Sequence, residues 1–122
     1  SLDRSDVRLP SIQQELIAEL AKINSNIVVG LMHGGMVAVD TIIDSIASLV
    51  SIGYPGRYAG ELLPAALFGL TDRAWGKLAA TWYKEDAMAK FDLVDFDMTR
   101  SPGRTYRYFT GEAQFEFGYG LN

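Results

Sequence analysis

Residues 26–35 read Asn-Ile-Val-Val-Gly-Leu-Met-His-Gly-Gly, and this stretch limits what the chain can fold into more than any other. Ile27, Val28, Val29, Leu31 and Met32 form a near-continuous apolar run. No polar residue alternates with them. Such a run suits a strand covered on both faces, the usual situation in a parallel sheet packed under helices. Open α/β sheets bind their ligands at the loops that follow the carboxyl ends of the strands. His33, Gly34 and Gly35 stand at that end, so the edge beside His33 is the first place to expect a small molecule.

The neighbouring segments support an α/β arrangement. Ile12, Leu16, Ile17, Leu20 and Ile23 fall on one helical face ahead of the run. Ser11 and Gln14 have the spacing of a capping box at the start of that helix. A helix leading directly into a strand is half of a βαβ unit. Val37 and Val39 make a short apolar step, and residues 40–45 are expected to form a short helix. Residues 47–52 are the second buried-strand candidate, closed by the turn Gly53-Tyr54-Pro55-Gly56. A helix is expected over 57–68, regular from about Gly60, with Gly69 as its stop. Pro64 is tolerable there if the helix starts near Glu61, because a proline costs little in a first turn.

Beyond Leu70 the pattern weakens. Residues 71–77 read as a loop around Trp75 and Gly76, and residues 78–83 as a short strand. Residues 84–99 show no clear period, and Ser101-Pro102-Gly103 is a turn. Residues 106–109 and 113–117 are aromatic and extended, and Gly111-Glu112 is expected to join them as a hairpin.

Composition narrows the chemistry. At 122 residues the chain is one domain at most. The net charge of −4 argues against a broad nucleic-acid surface, which needs a basic face. No apolar run approaches the roughly 18 residues of a membrane helix. Cysteine is absent, which excludes disulfides, thiolate metal sites and a cysteine nucleophile. His33 is the single histidine, and no Asp or Glu stands at a helical spacing from it that suggests a metal site. A phosphate cradle fails for want of a Gly-x-Gly-x-x-Gly or Gly-Lys-Ser/Thr pattern.

Three segments then resemble the C-terminal α/β domain of family 3 glycoside hydrolases, in the β-xylosidase-like branch. Leu2-Asp3-Arg4, Leu9-Pro10 and Gln13-Gln14-Glu15-Leu16 are similar to that branch's Gly-Leu-Asp-Arg, Leu-Pro and helix-starting Gln. Val28 through Gly34-Gly35, Gly53-Tyr54-Pro55-Gly56, Leu67-Phe68-Gly69 and Gly76-Lys77-Leu78 are similar to its central strand and motifs. Residues 102–108 and Phe117-Gly118-Tyr119-Gly120-Leu121 are similar to its Gly-Arg-Thr-Tyr-Arg segment and Phe-Gly-Tyr-Gly-Leu ending. His33 departs from the usual small polar residue, Met36 from the Pro after Gly-Gly, Ala74 from a common Ser, and Ala79-Ala80 from Pro-Val.

The resemblance implies a three-layer α/β sandwich with a mainly parallel sheet, incomplete in this chain, with an N-terminal barrel domain absent. It implies retaining hydrolysis of β-xylosides or β-glucosides from the non-reducing end, by two carboxylates about 5 Å apart. In the family the nucleophile is an Asp of the barrel, and the acid/base Glu lies just ahead of the Leu-Asp-Arg segment. No catalytic residue is therefore carried onto this chain. Asp3 and Arg4 are candidates for ordering the acid/base loop, and His33 for the substrate side. Partners implied are the remaining polypeptide of the same enzyme and a β-linked oligosaccharide or aryl glycoside, with no cofactor, metal, nucleic acid or membrane. The family also suggests an extracellular or secretory location. The alternative is a non-catalytic structural or carbohydrate-binding component that keeps the fold. Trp75, Trp82 and Tyr83 could stack on sugar faces, but packing in a core or interface is the stronger reading. The aromatic residues between Tyr106 and Phe117 read as a packed sheet face.

Overall fold

A computed structural model describes residues 6–72, 75–92 and 94–121. Asp3, Arg4 and Ala74 lie outside the described residues.

The first helix, α1, spans Ser11–Ala21. Ser11 is its first turn rather than its cap: Pro10 holds the capping position, with φ −51° and ψ 142°. Proline has no N–H to receive the returning side chain, so the expected capping box does not form. Gln14 turns elsewhere. Its Nε2 donates to the Leu9 carbonyl at 2.6 Å, and its Oε1 accepts from the Thr41 hydroxyl at 2.8 Å. Of the apolar stripe only Ile17 is buried; Ile12, Leu16, Leu20 and Ile23 are exposed.

Strand β1, Val28–Met32, pairs in parallel with β2, Ser48–Gly53. Val28 faces Ser48 and Leu31 faces Ser51, with an irregularity between Leu31 and Met32. Of the two covered faces expected for this strand, the described residues supply one. Leu31 is buried and Val29 half-buried, whereas Val28, Gly30 and Met32 are exposed. The described core lies against one face of β1 only. That core comprises Ile17, Leu31, Val39, Ile42 and Trp82, with Val39 fully enclosed. Residues 37–39 are thus more than a step: among the described residues they are the most deeply buried segment. Residues 40–45 form no α-helix, only a 3₁₀ turn at Ile43–Ser45.

Helix α2 spans Ala59–Leu67 behind a 3₁₀ turn at Gly56–Tyr58. Pro64 therefore sits in the second turn, not the first. The helix starts earlier than Glu61 and leaves the Gly60 carbonyl without its usual donor. The predicted stop is observed. Gly69 has φ 67°, its N–H donates to Ala66, and Leu70 N–H donates to Ala65 at 2.7 Å. This is a Schellman ending, which favours glycine at the left-handed position.

The carboxyl-terminal half departs most from expectation. Strand β3 is only Trp82–Tyr83, followed by a short helix α3, Glu85–Met88. Residues 77 and 78 pair separately, through Leu78 N–H to the Tyr119 carbonyl and Gly118 N–H to the Leu78 carbonyl. Residues 106–109 are not a strand. Thr105–Tyr108 is a helical turn, α4, and the strand that follows, β4 at Ala113–Phe115, pairs antiparallel with β3. The cause is the aromatic packing. Phe109 must reach Tyr83 and Phe91, and its ring lies 4.8 Å from Tyr83 and 6.2 Å from Phe91. A hairpin with β4 would spend that side chain on a different neighbour. The described strands thus form one parallel and one antiparallel pair.

The segment ahead of α1 is tied down by charge and backbone. Ala38 N–H donates to the Val7 carbonyl at 2.8 Å. Arg8 Nη2 meets Asp6 Oδ2 at 2.6 Å, and its Nε lies 3.3 Å from Glu85 Oε1. The side-chain hydrogen bond from Arg8 comes first among the causes that hold the Asp6 carboxyl at about 2. A carboxyl lowered on folding stabilises the fold above its unfolded value, near 4, and loses that contribution as pH falls towards 2. All three side chains are well exposed, so the effect is small. Asp6→Asn is expected to lower Tm slightly near neutral pH and progressively less as pH falls through about 2, where the wild-type carboxyl itself takes up its proton. Tm measured against pH for both proteins checks this; a constant offset would refute it.

Candidate functional site

The carboxyl ends of β1 and β2 place their side chains where a parallel pair presents ligand loops. His33 follows β1 directly, and its N–H donates to the Gly53 carbonyl at 3.2 Å. Its ring has a partner on each nitrogen: Nδ1 lies 2.8 Å from the Gly35 carbonyl and Nε2 2.8 Å from Ser51 Oγ. A carbonyl only accepts, so Nδ1 carries a proton. In the neutral ring Nε2 then accepts from the Ser51 hydroxyl. The ring also meets Trp82 at right angles, with centroids 5.3 Å apart. Trp82 is only 4% exposed and contacts Phe115, which stacks on Tyr119.

The loop after His33 is stitched to the next structural unit at successive positions. Met36 Sδ accepts from Tyr83 N–H at 3.0 Å, and Asp40 Oδ2 from Glu85 N–H at 3.3 Å. Tyr83 extends the chain of contacts, its hydroxyl accepting from Thr105 N–H at 2.6 Å. Thr105 has φ 64°, a conformation that a β-branched residue rarely adopts. Tyr54 lies over the Gly34 turn. A Cβ at Gly34 would come within 2.6 Å of the Tyr54 hydroxyl, and Tyr54 is 84% exposed. Beside this edge is a mainly apolar depression of about 180 Å³, lined by Val50, Ser51, Ile52, Leu62, Leu63 and Trp75 among others.

His33 is therefore at the edge where the sequence places it, but as a braced ring and not a free one. Trp82 is core, and Tyr83 belongs to an aromatic cluster with Phe91 and Phe109, as the packing reading expects. Trp75 borders the depression. Among the described residues, no three His, Asp or Glu side chains gather as a metal site would need, and no helix is long and apolar enough to cross a membrane. Asp3 and Arg4 cannot be placed against this edge, being outside the described residues. Ser51 and Tyr54 are additions. Ser51 is the polar interruption near the end of an apolar segment, and Tyr54 belongs to a turn motif; neither signal alone points to His33.

Comparison with known proteins agrees with the motif order. The description "Glycosyl hydrolase family 3 C-terminal domain" matches residues 1–122. Beta-xylosidase/alpha-L-arabinofuranosidase 1 of Medicago sativa subsp. varia is 36% identical over 130 residues, covering 100% of this chain and 17% of that protein. Beta-D-xylosidase 1 of Arabidopsis thaliana is 35% identical, covering 98% of this chain and 16% of that protein. Xylan 1,4-beta-xylosidase of Xylanibacter ruminicola is 34% identical, covering 98% and 13%. The chain spans about one sixth of the length of the first two of these relatives. A whole-length match to the domain, motifs in family order, and an α/β structure with its parallel pair at the expected strands place this chain in glycosyl hydrolase family 3, within its C-terminal domain.

Proposed function

We propose that this chain is part of a retaining β-glycosidase that releases β-xylosyl or β-glucosyl units from the non-reducing ends of β-linked oligosaccharides or aryl glycosides. The observation that carries the reading is its similarity to β-xylosidases along essentially its whole length. The remaining polypeptide would supply both carboxylates, one as nucleophile and one as acid/base, about 5 Å apart across the scissile bond. Double displacement by that pair needs no cofactor. This chain's part is to complete the α/β sandwich that presents the acid/base to the barrel. The exposed apolar residues Val28 and Met32 on β1, and Ile12, Leu16 and Leu20 on α1, support a larger sandwich, because apolar faces of this kind are normally buried against a neighbour. An extracellular location fits the same family reading.

The test is an assay of the full-length protein on aryl β-xylosides, β-glucosides and α-L-arabinofuranosides, with the anomer of the first-formed sugar followed by NMR. Release of β-anomeric xylose or glucose is the expected result. An α-anomer would overturn the retaining mechanism. Sugar binding without turnover would instead favour the non-catalytic reading.

A further inference from the structure

We infer that His33 is a positioning residue: with Ser51 it holds the Gly34–Gly35 turn, and through that turn the Tyr54 phenol, as one wall of the sugar site. This rests on the reading that the carboxyl edge of β1 and β2 faces substrate.

The His33 ring is held on three sides. Nδ1–H is taken by the Gly35 carbonyl, Nε2 by the Ser51 hydroxyl, and the ring stands against Trp82. Both polar atoms are engaged within the chain, so the imidazole reaches no substrate proton without breaking a bond it already makes. What it does instead is join three elements. It lies just beyond β1, Ser51 lies on β2, and Trp82 lies on β3 and is buried. Its own N–H adds a bond to Gly53, one residue ahead of Tyr54. On the far side of the turn, Met36 is fastened by accepting from Tyr83 N–H.

The turn is thus anchored at 33, 35 and 36, and Gly34 is left between the anchors. Gly34 is where the Tyr54 ring lies, so close that a Cβ would meet the ring's hydroxyl and two of its carbons within 2.9 Å. The turn and the ring are therefore fitted to one another, while the ring remains open to approach. A flat aromatic face with a hydroxyl at its tip suits a pyranose, which offers an apolar C–H face and a rim of hydroxyls.

The experiment uses the full-length protein and an aryl β-xyloside. His33→Ala is expected to raise KM about tenfold, the cost of losing one well-placed hydrogen bond, with kcat within about threefold. Tyr54→Ala should give a similar KM effect without lowering Tm, because its ring is exposed. The double variant should be no worse than the poorer single one, since both act through one contact. His33→Gln, which keeps one donor and one acceptor, should recover part of the loss. Hydrogen exchange of the peptide over residues 33–36 should accelerate in His33→Ala. Unchanged exchange there, or additive KM effects, or a fall in Tm with KM unaltered, would overturn the inference. An inactive wild-type protein would instead overturn the parent glycosidase reading, while the exchange measurement still decides whether His33 holds the turn.

Discussion

Replacing Trp82 with alanine is expected to cost the domain about 3–5 kcal/mol, the range for deleting a large aromatic side chain from a core. Trp82 is 4% exposed and is the one aromatic member of the buried cluster with Ile17, Leu31, Val39 and Ile42. It also joins that cluster to the antiparallel pair, through its register partner Phe115, whose ring centroid is 6.3 Å away. Alanine would leave a void among side chains that come from α1, β1, residues 39–42 and β4. These elements are separate in sequence and cannot all move inward together, so the cavity persists and the cost is high. The loss should appear as a fall of about 2 M in the urea midpoint of the domain's transition, given typical denaturant slopes. Trp82→Phe should lose distinctly less, because a smaller ring still fills part of the space. A loss below about 1 kcal/mol for the alanine variant would mean that the indole is not enclosed.

The second large effect is expected at Gly103. Its φ is 80°, and a Cβ there would lie 1.9 Å from the Tyr108 carbonyl oxygen. The obstacle is backbone, which cannot swing aside as a side-chain tip does. Gly103→Ala must therefore move α4 or the turn itself. That turn is closed by Gly103 N–H to the Arg100 carbonyl at 2.7 Å and Thr110 N–H to the Pro102 carbonyl at 2.9 Å. It is also braced by Arg104, whose Nη2 donates to the Asp95 carbonyl. Displacing α4 moves Phe109 away from Tyr83 and removes the donor from the Tyr83 hydroxyl. Left-handed alanine costs about 1–2 kcal/mol, and the forced displacement should bring the total above about 3 kcal/mol. Gly118 provides the control. Its φ is 79°, but nothing lies within 4 Å of its added Cβ. Gly118→Ala should therefore show only the conformational cost, about 1–2 kcal/mol. Urea denaturation of both variants separates the terms; equal losses would show that the clash at Gly103 is relieved without consequence.

These two positions differ in how far they could be read in advance. Gly103 stands in a Ser-Pro-Gly turn, and the turn is legible because glycine and proline act on their own backbone. The same local chemistry made α1, α2, the Gly69 stop and the two parallel strands readable. The amphipathic spacing of α1 is plain in the sequence, although most of that stripe is exposed. Trp82 carries no such local mark. Whether a tryptophan stacks on a sugar or fills a core depends on neighbours far away in the chain.

Two departures have the same origin. Residues 106–109 look extended because Tyr and Phe favour strands, yet they form a turn of helix; β-propensity largely reports packing against cross-strand neighbours. Here the neighbours are Tyr83 and Phe91, supplied by a segment with no readable period. Likewise, the apolar run at β1 is compatible with two buried faces, but only one is covered by the described chain. Pro10 defeated the capping box for a local reason that was visible: it has no N–H to offer.

The sequence by itself determined the family, the strand ends where a site would lie, and the turns set by glycine and proline. All of these follow from short motifs or from a residue's own backbone preferences. Only the tertiary structure decided what His33 does there. Its partner Ser51 is 18 residues away, and the parallel register brings the two within 2.8 Å. Trp82, farther still along the chain, supplies the third side. Register and ring contacts are properties of pairs of distant segments, and such pairs exist only once the chain has folded.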